Sequence, residues 1–239
     1  MLFTTASPSS GRDGKVILLR DEPLSLSERQ RWEGRHRRIG LTGGIASGKS
    51  SVGEYLATIG LPVLDADAYA RRALSNGTQA AEAVLQRYGS RVKYPLDSIS
   101  AEHVPSRPIN RSALGQIVFN DPEERKWLEQ LIHPIVLDSF EKEIAQQPKT
   151  TALVLMIPLL FEASLQTMCS EIWVVHCDPE QQLQRLCRRD GLDESTALAR
   201  IKSQWPLSEK CQRADLVLDN SSNHDVWKEQ ITSQLNRFS

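Results

Sequence analysis

The sequence predicts an α/β protein built on a doubly wound parallel sheet. From Arg38 onward, short apolar runs alternate with segments of helical spacing, the order that parallel strands and crossover helices require. Two of these runs, residues 151–157 and 172–175, are continuously apolar, as strands buried on both faces are. The first run leads directly into Gly43-Gly44-Ile45-Ala46-Ser47-Gly48-Lys49-Ser50, which reads G-x-x-x-x-G-K-S, the pattern of a phosphate-binding loop between a strand and a helix.

The first strand is expected over residues 39–42. A helix is expected over 51–59, where Val52, Tyr55, Leu56 and Ile59 fall at helical spacing. Between them, glycines allow the tight turn that aims successive N–H groups at an anion. Lys49 is placed to reach terminal phosphates, and Ser50 to offer its hydroxyl to Mg²⁺. The helix N-terminus adds partial positive charge. The residues expected around the nucleotide are Gly43, Gly44, Ala46, Ser47, Gly48, Lys49, Ser50 and Ser51.

The second strand is expected over 61–64, followed at once by Asp65-Ala66-Asp67. Ligands of open parallel sheets lie off the carboxyl ends of strands, so both carboxylates are expected to face the nucleotide crevice. If the backbone stays extended, residues two apart point the same way. One carboxylate would then help arrange Mg²⁺ and its water. The other would accept the proton of an attacking hydroxyl, orienting it toward a loose phosphoryl-transfer transition state. Capping a helix over 68–74 is the alternative use of the same residues.

A long stretch without strand signal follows. Helical patterns cover 80–88, 112–119 and 122–144, the last with Trp127, Leu128, Leu131, Ile132, Ile135 and Leu137 as apolar positions. Pro134 is expected to kink or break it, and His133 to be a structural histidine in an apolar helix. Residues 90–149 therefore read as a helical insertion beside a nucleotide core of 37–89 and 150–239.

The third and fourth strands are expected over 151–157 and 172–175, and the fifth over 214–218. In the helical run 181–190, Arg185 and Arg189 stand one turn apart and can share a face. Arginine forks match phosphate oxygens and stabilise a transferring phosphoryl group, although a solvated basic face has the same pattern. The polar stretch 191–210 follows, and residues 189–212 together suit a lid that excludes water. Asp219-Asn220 closes the fifth strand, as a ligand contact or as a turn.

Composition narrows the class. The chain has 239 residues with a net charge of −1, so no global field points to nucleic acid or a membrane. Its four cysteines lack C-x-x-C spacing, which argues against a zinc site or disulfide framework and fits a reducing, cytoplasmic setting. The longest apolar stretch, 152–161, contains Pro158 and falls well short of the roughly 18 residues of a membrane span. Residues 1–36 read as a flexible extension ending in a basic segment with a tryptophan, expected to be a solvated, partly helical tail. No Asn-Lys-x-Asp guanine-reading motif occurs, and Pro158-Leu159-Leu160-Phe161-Glu162 follows the third strand where a Walker-B aspartate would stand. These absences point away from GTPases and motors and toward a small-molecule kinase of the P-loop type. Oligomeric state is left open.

From residue 38 onward the chain resembles the dephospho-coenzyme A kinase family. The resemblance rests on six segments in order: residues 39–50, Val63-Leu64-Asp65-Ala66-Asp67 with Ala70-Arg71, Arg111-Ser112-Ala113-Leu114 leading to Ile117-Val118-Phe119, Leu131-Ile132-His133-Pro134, residues 158–162, and residues 214–220. It implies ATP-dependent phosphorylation of the ribose 3′-hydroxyl of dephospho-CoA, the last step of coenzyme A synthesis, with ATP, Mg²⁺ and dephospho-CoA as the small molecules involved and no nucleic acid. By matching position it makes Asp67 the general base and Arg185 and Arg189 lid-side arginines, acting with Lys49. Ser50 and Asp65 are the residues expected at the metal. Two departures stand out: Ala46 replaces the family's usual glycine and Ser51 its usual threonine. Ala46 is thus expected to adopt a backbone conformation open to a non-glycine residue. The extension 1–36 has no counterpart in the resemblance.

Overall fold

The computed structural model describes residues 31–94, 109–148, 152–221 and 226–236. Five strands form one sheet: β1 (Arg38–Gly43), β2 (Val63–Asp65), β3 (Leu153–Met156), β4 (Glu171–His176) and β5 (Leu216–Asp219). Their order is β2-β3-β1-β4-β5, so the first strand in the chain is central and later strands are added on both sides of it. This is the doubly wound parallel α/β arrangement predicted from the sequence. β2 and β3 pair in parallel with Leu64 opposite Leu155, and β4 and β5 with Val174 opposite Val217. All six residues of β1 and the first five of β4 are buried, and the continuously apolar run 172–175 lies within the latter.

The chain divides into two compact units. Among the described residues, one comprises 31–32, Gly40–Val52 and those from Leu159 onward, and the other Glu33–Ile39 and those between Gly53 and Pro158. Helix α1 (Lys49–Thr58) follows the phosphate-binding loop.

The second unit is rich in capped helices. α2 (Ala66–Ala73) is capped by Asp65, α3 (Gln79–Tyr88) by Thr78, α4 (Arg111–Asn120) by Asn110 and α5 (Pro122–Ala145) by Asp121, each side chain accepting backbone N–H bonds of the first turn. Ala81, Val84, Tyr88, Val92, Ile109 and Leu114 form a core cluster with Trp127, Leu128 and Leu131 packed against it. Arg87 grips Glu124 with two bonds of 2.6 and 3.0 Å, and the Tyr88 hydroxyl donates to the same carboxylate at 2.7 Å. Burial, reinforced by Glu124, pushes the Tyr88 phenol up to about 12. Elsewhere in this unit, buried Arg38 forms a two-bond pair with Glu141 at 2.7 and 3.1 Å.

For α5 one expectation is narrowed and another corrected. Pro134 does not break the helix, which runs unbroken for 24 residues. Pro134 lies on the exposed side, while Ile132, Val136, Phe140 and Ile144 anchor the helix on its buried side. His133 is exposed, not a core residue, because the buried face turns through 132, 136 and 140.

In the first unit, α6 (Pro179–Asp190), α7 (Glu194–Lys202) and α8 (Leu207–Gln212) lie between β4 and β5, and α9 (Val226–Asn236) follows β5. Asp193 caps α7 and also accepts from the Ser195 and Thr196 hydroxyls, which hold its carboxyl well below the usual range. Residues 31–36 form no helix. The Trp32 N–H bonds to the Cys169 carbonyl at 2.9 Å, and Arg31 lies 3.6 Å from Asp215. The rest of the extension lies outside the described residues. Among those described, no helix is long and apolar enough to cross a membrane.

Candidate functional site

β1 delivers the chain to Gly43, and α1 begins at Lys49, so the glycine-rich segment is the loop between strand and helix that its pattern demands. The N–H groups of Lys49, Ser50 and Ser51 occupy the first turn, where no acceptor exists within the helix. α1 has no acidic residue in that turn to complement its positive end. Ser50 and Ser51 are exposed there. The arrangement suits a bound polyphosphate.

The loop is shaped from outside by side chains that take its carbonyls. Lys49 Nζ donates to the Gly44 carbonyl at 2.7 Å and lies 3.4 Å from that of Gly43. Gln182 Nε2 donates to the Ile45 carbonyl at 2.9 Å, and Asn220 Nδ2 to that of Ser47, also at 2.9 Å. Gln204 Oε1 accepts from the Ile45 N–H at 3.0 Å. Gly48 has φ +102°, and a Cβ there would run into the Asn220 amide, so glycine is required on both counts.

Ala46 takes a positive φ, uncommon for a non-glycine residue but open to one. Its φ is +57°, in the left-handed region that favours glycine, at a cost of roughly 1–2 kcal/mol for an L-residue. The loop's path fixes this conformation, and the alanine adopts it despite its Cβ.

Beneath the loop, Lys210 is fully buried, although its sequence context reads as polar and lid-like. Its ammonium is 2.7 Å from Glu162 Oε1 and 3.5 Å from the Gly43 carbonyl. The same carboxylate oxygen accepts from the Trp205 N–H at 3.0 Å. The Trp205 ring stacks on Phe161 at 6.1 Å with 9° between planes, and the Arg213 guanidinium lies 5.1 Å from its centroid.

The family model described as dephospho-CoA kinase (CoaE) matches residues 37–225, the whole span of this loop, the strands and their supports. The chain belongs to the dephospho-CoA kinase family. It is 56% identical over 199 residues to the dephospho-CoA kinase of Synechococcus sp. (strain CC9605), covering 83% of this chain and 92% of that protein. Its identity to the dephospho-CoA kinase of Prochlorococcus marinus (strain MIT 9313) is 53% over 204 residues, covering 85% and 97%. Among solved structures, TT1252 from Thermus thermophilus is similar with a TM-score of 0.70 and 33% identity, over 85% of this chain and 98% of that one. The dephospho-CoA kinase from Campylobacter jejuni gives a TM-score of 0.56 and 26% identity over the same shares.

In this member of the dephospho-CoA kinase family, the Asp65/Asp67 pair is not laid out on one strand face. β2 ends at Asp65 and α2 starts at Ala66, because Asp65 Oδ1 accepts the Asp67 N–H at 2.9 Å and caps the helix. The other Asp65 oxygen is 3.5 Å from Arg71. Asp67 is exposed in the first helical turn, where the helix dipole favours a carboxylate. The two expected arginines have different partners. Arg185 donates to the Asn220 carbonyl at 3.1 Å, joining the supports of the loop. Arg189 bonds Asp190 at 2.7 and 3.1 Å, and Asp190 also takes Arg200 at 3.0 Å. Arg189, aided by Arg200, holds the Asp190 carboxyl below its ordinary value.

Gln182, Gln204, Lys210 and Glu162 carry no sequence signal of their roles at the loop. Asn220 was marked by its place at the end of β5, and its role is now specific: it holds the Ser47 carbonyl. Among the described residues, no group of three or more His, Cys, Asp or Glu side chains could hold a metal ion. The donor set fits Mg²⁺ bound chiefly by phosphate oxygens and water, with one hydroxyl from the chain.

Proposed function

We infer that this chain transfers the γ-phosphoryl group of ATP to the ribose 3′-hydroxyl of dephospho-CoA, giving coenzyme A and ADP. The observation that carries the reading is the family match over residues 37–225 with the phosphate-binding loop intact. The 3′-oxygen forms a bond to the γ-phosphorus as the bond to the β-phosphate oxygen breaks. ADP leaves, and the hydroxyl proton passes to Asp67. Lys49 exchanges the Gly43 and Gly44 carbonyls for phosphate oxygens, which attract its ammonium more strongly than neutral carbonyls do. The N–H groups at the start of α1 bind the phosphates, alongside Gly43, Gly44, Ala46, Ser47, Gly48 and Ser51.

Mg²⁺ supplies charge neutralisation on the phosphates when bound. The Ser50 hydroxyl would hold it, with the Asp65 carboxylate helping to arrange it and its water. Arg185 and Arg189 stabilise charge on the transferring group, and residues 189–212 act as a lid. Residues 90–149 form the acceptor side, and 1–36 lie outside the catalytic core, in a cytoplasmic enzyme.

Purified protein given Mg·ATP and dephospho-CoA is expected to yield ADP and an acceptor heavier by one phosphate. A folded, ATP-binding sample that leaves dephospho-CoA untouched but phosphorylates a nucleoside or another small alcohol would overturn the reading. Asp67→Asn is expected to keep ATP affinity and lose roughly 10²–10⁴-fold in kcat, the range for a general base; retained turnover would remove Asp67 from that role.

A further inference from the structure

The Ile45–Ala46 turn is the tip of the phosphate-binding loop. Ala46 sits at φ +57° without the freedom of a glycine. One backbone bond, the Ser47 N–H donating to the Gly44 carbonyl at 3.2 Å, closes the turn around Ile45 and Ala46, and it engages neither polar group of Ile45 itself. The residue beside Ala46 is instead gripped on both sides by carboxamides from distant parts of the chain. Gln182, only 5% exposed, donates to the Ile45 carbonyl, and Gln204 accepts from the Ile45 N–H.

We propose that Gln182 and Gln204 are positioning residues that hold the Ile45–Ala46 turn in the conformation that receives ATP phosphates, offsetting the preference of Ala46 for ordinary backbone angles. The proposal rests on the kinase reading of the site. The two amides act in complementary senses, one as donor and one as acceptor, so together they fix both the position and the rotation of the Ile45 residue. Each is itself anchored. Gln182 lies on α6 and is buried, and a side chain at Gly44 would collide with its amide. Gln204 precedes Trp205, whose N–H is bound by Glu162 and whose ring is stacked on Phe161. Without the clamp, the turn would relax toward a form in which the loop N–H groups no longer converge, and ATP binding would bear the cost of restoring it.

The test is a comparison of ATP dissociation constants, measured by calorimetric titration, for the wild type, Gln204→Met, Ala46→Gly and the double variant. Gln204→Met is expected to weaken ATP about tenfold in the Ala46 chain and less than about threefold in the Ala46→Gly chain, because glycine adopts the left-handed conformation unaided. In turnover assays KM for ATP rises while KM for dephospho-CoA stays fixed. Gln182→Met, made in both backgrounds, is the second variant and is expected to show the same coupling; circular dichroism establishes that each variant is folded. A purely structural role would lower thermal stability yet leave equal fold-losses in both backgrounds, and that result, or unchanged ATP affinity in Gln204→Met, would overturn the clamp alone. A wild-type chain that failed to bind ATP would overturn the kinase reading and the clamp with it.

Discussion

Replacing Lys210 by Met removes one charge from a buried pair and leaves the other behind. Lys210 has no exposed surface, and its partner Glu162 retains 17% side-chain exposure. Removing one member of a fully buried ion pair costs about 3–5 kcal/mol, mostly as the penalty of the orphaned charge. Here Glu162 keeps the Trp205 N–H on Oε1 while its Oε2 is buried without a partner, so the expected loss stays near the lower bound, about 3 kcal/mol. For a chain of this size that corresponds to a fall in Tm of roughly 5–10 °C. Methionine fills most of the lysine's volume, so cavity formation adds little. The assay is urea and thermal unfolding at neutral pH, with Lys210→Met, Glu162→Gln and the double variant side by side. The double variant should recover at least half the loss, because neither charge remains. A loss under about 1 kcal/mol in Lys210→Met, or strictly additive losses in the double variant, would refute the argument from an orphaned buried charge.

Gly48→Ala should abolish tight ATP binding, by more than about tenfold in a titration, because its φ of +102° and the Asn220 amide both exclude a Cβ. Ala46→Gly should raise unfolding stability by up to about 1 kcal/mol in urea titrations, the left-handed cost of alanine less the greater entropy loss of glycine. The Glu124 carboxyl is held below its ordinary value chiefly by its bonds from Arg87, with the Tyr88 hydroxyl adding to them. Its folded value lies below its unfolded one, so the stabilisation is fully present above the unfolded value near pH 4.5 and is lost as pH falls through the folded value. Glu124→Gln should therefore flatten that part of the acid-side decline, read from unfolding midpoints between pH 6 and pH 3.

What the sequence revealed and what it concealed follow from the range of the interactions. The strand, loop and helix around Gly43–Ser50 were legible because glycine spacing and apolar periodicity act over a few residues. So were β3 and β4, whose burial on both faces writes itself as continuous apolar runs. The supports of the loop were not legible, because Gln182, Gln204 and Asn220 bond residues 137, 159 and 173 positions away. A glutamine between two helices has no local pattern that distinguishes a clamp from a solvated side chain. Lys210 was hidden for the same reason, its charge suggesting exposure until Glu162 is brought beneath it. The Asp65 cap lay within reach, since an aspartate before a helical run is a start signal. The extended reading of Asp65-Ala66-Asp67 competed with it and lost by one helical turn. Pro134 stops short of breaking α5, where packing of Ile132, Val136 and Phe140 on the buried face outweighs the one lost backbone bond.

The same separations have a temporal consequence. During synthesis the Gly43–Ser50 motif leaves the ribosome long before the residues that hold its carbonyls. At roughly 5–20 residues per second, Asn220 is added about ten to thirty seconds after Gly48. A nascent chain that ends before Gln182 thus carries the complete phosphate-binding motif but none of the carboxamides that fix its tip. The nucleotide site of this protein is finished late, by the last strand and the helices preceding it, and a prematurely terminated chain is left with the motif in name only.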